Sequence, residues 1–183
     1  MELLGMELRE VNEPQRLIIG VVAPYDEVSY LTPDPNGERM RRGCFAKTLG
    51  QRREKIPLLR RHDQALKLGR SRDWRDDAAG LFGEFVVNPG DAGDALLADC
   101  RDGYLDGLSA GWLPLGRTRG RDGVSEITEA KLIEVSAVAV PAYEGAALLA
   151  VRSAQDLDAM LAPFLAPPAV NLEPIPPLVY RSR

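Results

Sequence analysis

The chain contains a single histidine, His62, and two cysteines, Cys44 and Cys100, in 183 residues. That scarcity excludes a good deal of chemistry. A zinc site of the usual four-ligand kind asks for more imidazoles and thiolates than these. The two cysteines are far apart, and neither belongs to a C-x-x-C pair, so no redox motif or disulfide framework is expected and a reducing, intracellular setting is the simpler reading. No metal and no cofactor are expected. Long apolar runs are also missing: the greasiest region, 132–151, is broken by Glu134, Pro141 and Glu144, too often for a bilayer span. Residues 1–10 carry acids and lack the basic-then-apolar order of a signal peptide, which points to an aqueous compartment and no membrane partner. Nor is there a basic excess. With 23 Lys and Arg against 27 Asp and Glu the net charge is −4, which argues against a general nucleic-acid binder. Arg39, Arg41, Arg42, Arg52, Arg53, Arg60 and Arg61 do crowd one stretch, which reads as a solvated face ahead of a phosphate-binding or acid-binding one.

What is present suits one soluble domain. Hydrophobic residues make up 45% and charged residues 27%, enough to build a core without staples. Residues 16–23, dense in β-branched side chains and ending at Pro24, predict a buried strand. A loop is expected over 31–38, a short helix over 44–50, and a strand over 56–61 that runs straight into His62. Segments 66–74 and 81–87 form a hairpin pair around D-D-A-A-G, and the spacing of Ala92, Leu96 and Cys100 predicts a helix closed by Gly103. Strands follow over 107–115 and, bent or bulged midway, over about 124–140, with a turn at 119–123. Ser153 and Asp156 mark a helix start. Beyond it, 163–183 carries six of the fourteen prolines and reads as an extended tail. Strands that do not alternate regularly with helices favour an α+β domain, mainly an antiparallel β-barrel surrounded by a few helices, over a doubly wound sheet. The expected division is a domain over 1–152 and a C-terminal helix and Pro-rich tail over 153–183.

Acyl transfer through a nucleophile needs a hydroxyl or thiol, a base within reach and a group that orients the base. His62, at the end of an apolar strand, is the one imidazole on offer, and imidazoles ordinarily ionise near pH ~6.5, where a base is useful. Ser109 lies in G-L-S-A-G-W, where small neighbours let a substrate backbone come close. In an extended strand Ser109 and Gly111 share the less bulky face. The flanks are those of a strand, not of the strand–turn–helix of a G-x-S-x-G elbow. Glu134 sits in the apolar run K-L-I-E-V-S-A-V-A-V-P, where a carboxylate is costly to bury without a partner. An imidazole or a strand-end arginine would each serve. Asp63 is the rival orienter, although neighbouring strand residues point to opposite faces, and Ser136 is a weaker rival nucleophile on the face of Glu134.

Taken in order, R-R-G-C-F-A-K-T-L at 41–49, I-P-L-L-R-R-H-D at 56–63, L-G-R at 68–70, G-L-F-G-E-F at 80–85, G-L-S-A-G-W at 107–112 and L-I-E-V-S-A-V-A-V-P-A at 132–142 resemble the prohead proteases of tailed bacteriophages. That family looks related in fold to the herpesvirus assemblins. The similarity covers roughly residues 16–151, and this chain departs from it at Cys44, where alanine is common, and at Leu113-Pro114. The resemblance implies a serine endopeptidase with catalytic Ser109, His62 and Glu134 as nucleophile, base and orienter. It implies the phage major capsid protein and its scaffold segment as substrates, self-cleavage, and work inside the assembling procapsid in the host cytoplasm. A homo-oligomer is implied by analogy with the similar viral proteases. Backbone N–H groups near Ser109 and at Gly145 are candidate oxyanion donors. The rival reading is a non-catalytic capsid assembly or scaffold protein that keeps the fold, and a third is a small binding domain with a basic face at 39–61.

Overall fold

The computed structural model describes residues 16–151. Strand β1, Leu17–Pro24, is buried at every position, because its near-continuous apolar run is covered on both faces. Gly20 in its middle has no room for a side chain: a Cβ there would lie 2.6 Å from the Ala147 carbonyl oxygen and 2.7 Å from the Leu108 side chain. The chain then runs through β2 (Glu38–Met40), α1 (Ala46–Arg52), β3 (Pro57–Arg60), β4 (Lys67–Asp76), β5 (Gly80–Val87), α2 (Asp91–Arg101), β6 (Gly107–Arg119), β7 (Ser125–Val138) and β8 (Leu148–Ala150). The domain boundary expected at 152, the helix expected from Ser153 and the Pro-rich tail lie outside the described residues.

All eight strands join one mixed sheet, in the order β2-β7-β3-β4-β5-β1-β8, with β6 on β7. Strand β7 organises the molecule. It pairs antiparallel with β6 along its whole length, from Gly107↔Val138 to Arg119↔Ser125. It also takes β2 in parallel at Glu38↔Ser125 through Met40↔Ile127, and β3 in parallel at Leu58↔Val135 through Arg60↔Ala137. The sheet is mainly antiparallel, as expected, and its two parallel pairings both fall on β7. The expected barrel is not closed by strand pairing: the ladder stays open between β6 and β8. Residues 139–147 turn there, and only a bridge at Gly107↔Ala147 and the bonds Leu108 N–H to Ala146 O and Leu148 N–H to Asp106 O (2.9 and 2.7 Å) span the gap. The class is α+β, a mixed sheet with two short helices among the described residues.

Local differences from the sequence reading have tertiary causes. Helix α1 continues past Gly50 because Thr48, buried within it, donates to the Ala130 carbonyl at 3.4 Å and accepts from the Leu132 N–H at 3.2 Å, which pins the helix to β7. Strand β6 continues through Pro114 to Arg119. Proline lacks an N–H, and β6 there is an edge strand with β7 on one side only. β2 and β8, three residues each, carry no period of their own and exist because a neighbouring strand offers bonds. The core fills between sheet and helices, with Phe45, Phe85 and Leu108 fully buried and the Trp74 ring edge-on to Phe85 at 5.4 Å.

Candidate active site

Strand β3 ends in a tight reversal. Arg61 and His62 both adopt left-handed backbone conformations, with φ of 52° and 61°. Non-glycine residues pay about 1–2 kcal/mol each there, and main-chain donors hold the turn against that cost. The Arg61 N–H donates to the Ala137 carbonyl at 3.0 Å, and the His62 N–H donates to the Ser136 hydroxyl at 3.0 Å. The turn thereby swings the imidazole across the end of β3 onto β7.

There the ring meets Glu134. His62 Nδ1 lies 2.7 Å from Glu134 Oε1. A carboxylate only accepts, so Nδ1 carries the hydrogen and Nε2 keeps its lone pair. Nε2 has no hydrogen-bond partner among the described residues. The His62 side chain is 46% exposed and that of Glu134 3%, so the pair has one dry end and one wet end. The second carboxylate oxygen, Oε2, accepts from the Ser136 hydroxyl at 2.7 Å. Gly111 stands opposite Glu134 on β6, and a Cβ at Gly111 would lie 2.1 Å from Oε1. The carboxylate fits because that position has no side chain. Just beyond, the register shifts between Gly111 and Trp112, a bulge of the kind that re-aims side chains beside functional sites.

Ser109 is cross-strand partner to Ser136. Directly opposed residues have Cβ atoms about 4.5–5.5 Å apart, which sets Ser109 beside the His62–Glu134 pair. The two serines nonetheless differ. Ser136 is fully buried with its hydroxyl bonded on both sides, whereas Ser109 is 6% exposed and its hydroxyl makes no hydrogen bond among the described residues. Asp63 is turned away, its carboxylate accepting from the Ala65 N–H at 2.8 Å in a local turn. Of the two acids weighed in the sequence, only Glu134 touches the imidazole. Gly145 is already committed: its N–H donates to the Glu27 carboxylate at 3.1 Å, so it is not a free oxyanion donor.

Neither thiol competes for the nucleophile's place. Cys44 and Cys100 are buried and unbridged, and burial, with Asp76 beside one and Asp99 beside the other, pushes both up to about 12. No group of three or more His, Cys, Asp or Glu side chains that could hold a metal ion occurs among the described residues. The arginine-rich stretch is largely neutralised by acids: Arg39 by Asp122 and Glu126, Arg41 by Asp26, Arg42 by Asp76, Arg53 by Asp73 and Arg60 by Asp99. A basic binding face loses its charge by that pairing. No signal in the sequence marks the bonding of Ser136, the space left by Gly111 or the left-handed turn, since each depends on which strand lies alongside.

Two grooves lie along the 139–147 turn. The larger, of about 670 Å³, lies between the 27–31 and 141–145 loops, which are tied together where the buried Ser29 hydroxyl donates to the Ala142 carbonyl. Tyr30 and Leu31 expose apolar surface to it, and Glu27 and Glu144 are its only charged lining residues. The second, of about 340 Å³, continues past Asp106, Gly107 and Val140. No helix among the described residues is long and apolar enough to cross a membrane.

A carboxylate on the inner nitrogen of a half-exposed imidazole, with a free serine hydroxyl on the neighbouring strand, is the set of groups that serine hydrolases use. The chain belongs to the caudovirus prohead serine protease family, whose model matches residues 5–162. It is a serine protease of the phage capsid-maturation type. A solved structure, that of the bacteriophage T4 capsid assembly protease, is similar at 18% identity with a TM-score of 0.47, covering 69% of this chain and 99% of that one. No curated protein matches the chain.

Proposed function

We propose that this protease cleaves the scaffold segment of the phage major capsid protein, and itself, inside the assembling procapsid, with Ser109 as nucleophile, His62 as general base and Glu134 as the orienting acid. The contact between His62 Nδ1 and Glu134 carries the reading, because it fixes the tautomer that leaves Nε2 free to take a proton. Ser109 attacks the peptide carbonyl as Nε2 receives its proton. The resulting imidazolium is steadied by the buried carboxylate and then protonates the leaving amine, and water clears the acyl-enzyme by the same route. Ser109 and Nε2 are not hydrogen-bonded in the free protein, and such contacts tighten once a substrate is bound.

The larger groove, between the 27–31 and 141–145 loops, suits an extended segment. Its apolar wall at Tyr30 and Leu31 takes a large side chain, and Glu27 and Glu144, which have no basic partner among the described residues, favour a Lys or Arg close to it. In this reading 1–152 is the protease domain and 163–183 is a segment removed by self-cleavage.

The test is intact-mass spectrometry of the protein and of its Ser109→Ala variant, each incubated with the cognate major capsid protein carrying its scaffold segment. Fragments made by the wild type and absent with the variant are expected, including loss of the C-terminal tail. Identical fragments from both would move the nucleophile elsewhere. No fragments from either folded protein would favour a non-catalytic assembly role.

A further inference from the structure

Ser136 is fully buried, so it cannot meet a substrate, yet its hydroxyl has two partners that belong to the imidazole's surroundings. It donates to Glu134 Oε2 at 2.7 Å and accepts from the His62 N–H at 3.0 Å. A hydroxyl has one hydrogen and two lone pairs, and here the hydrogen is spent on the acid and a lone pair on the histidine's own backbone. We infer that Ser136 is a positioning residue: one side chain holds both the orienting carboxylate and the strained turn that presents the imidazole. The inference rests on the protease reading above.

The geometry makes the two functions inseparable. Oε1 is bonded to the ring and Oε2 to Ser136, so the carboxylate plane is fixed from both sides. The left-handed pair Arg61 and His62 is tied to consecutive residues of β7, Arg61 to the Ala137 carbonyl and His62 to Ser136. Without the hydroxyl, Oε2 is orphaned in a buried place where it requires a partner, and the part-buried His62 N–H loses its acceptor at the same time. The turn can then relax and the carboxylate can rotate, and both motions move Nε2 away from Ser109. Small displacements of a reacting group cost rate steeply. Substrate binding is untouched, because no atom of Ser136 is exposed.

The experiment compares wild type, Ser136→Ala and Ser136→Thr on a peptide spanning a cut mapped with the capsid protein. Ser136→Ala is expected to lower kcat by about 10- to 100-fold with KM unchanged, and Ser136→Thr, which keeps the hydroxyl, to recover most of it. A folded Ser136→Ala protein with wild-type kcat overturns the inference. So does a loss that appears in KM, or a folded threonine variant with no recovery. A second readout needs no substrate. The chain has one histidine, so a bonded Nδ1 proton gives a single downfield proton resonance. It is expected sharp in the wild type and broadened or absent in Ser136→Ala, and a persistent sharp signal counts against the inference. If Ser109→Ala cleaves as fast as wild type, the assignment of Ser109 as nucleophile falls, and this resonance alone decides the place of Ser136. Should Ser136→Ala not fold, Ser136→Cys, close in volume and a weaker donor, takes its place, and unchanged kcat in it overturns the inference.

Discussion

The β6–β7 hairpin is one ribbon with two unlike ends. At the inner end, Gly107–Gly111 faces Glu134–Val138, and β3 joins the far edge of β7. Buried polar groups there, Ser109, Glu134 and Ser136, sit among fully buried Leu108, Val135 and Ala137. At the outer end, residues 113–119 pair with 125–131 and expose Leu113 and Leu115 by 54% and 57%. The strands, the pairing and the hand are shared, so hydrogen-bonded β-structure alone does not make a site. Desolvation does: at the inner end the buried Glu134 and Ser136 are bonded to each other and to His62, and that bonding fixes the geometry around the one unbonded hydroxyl, that of Ser109.

Breaking the inner end should have the largest effects. Glu134→Gln keeps the shape but replaces an acceptor with an amide, which no longer fixes the tautomer. A loss of about 10³- to 10⁴-fold in kcat is expected with little change in KM, from steady-state assay. Gly111→Ala places a methyl group on the carboxylate, with a 2.1 Å clash to Oε1. It should cost about 1–3 kcal/mol of stability and roughly 10²-fold in rate, read by thermal melting and turnover. Its counterpart Gly116→Ala, at the outer end, meets the Thr128 side-chain oxygen at 2.8 Å and the Glu129 Cβ and backbone nitrogen at 3.3 Å, none of them in the His62–Glu134 pair, and should leave turnover unchanged. Equal losses from the two glycine variants would erase the distinction between the ends.

Replacing Leu113 and Leu115 together with serine should shift stability by less than about 0.5 kcal/mol and leave cleavage unaffected. Smallest of all, Cys44 and Cys100, buried and held as thiols by burial, should resist a thiol reagent in the native protein, and both should react once it is unfolded.

Much of this was legible in the sequence because it is local. The apolar run at 16–23, the turn residues around 119–123, the 3.6-residue spacing in 91–101 and the small residues around Ser109 each carry their own period or composition. Glu134 announced itself as a carboxylate too deep in an apolar strand to lack a partner. The rest depends on neighbours distant in the chain. Nothing within 31–40 signals β2, which pairs with residues 125–127, and nothing before Pro114 signals that β6 would continue along a free edge.

The sequence by itself determined the class of chemistry, since one histidine, a serine flanked by small residues and one deeply apolar acid leave few ways to build a nucleophile. Tertiary structure decided which acid meets the ring and which serine hydroxyl is left unbonded. Asp63 is adjacent to His62 in sequence but bonds its own turn, whereas Glu134 lies 72 positions away and reaches the ring. Ser109 and Ser136 are one residue type, and only the pairing of β6, β7 and β3 leaves one hydroxyl open and bonds the other on both sides. The physical reason is that a hydroxyl's role is set by what surrounds it after desolvation, and β7 receives those surroundings from β3 and β6, strands far from it in sequence.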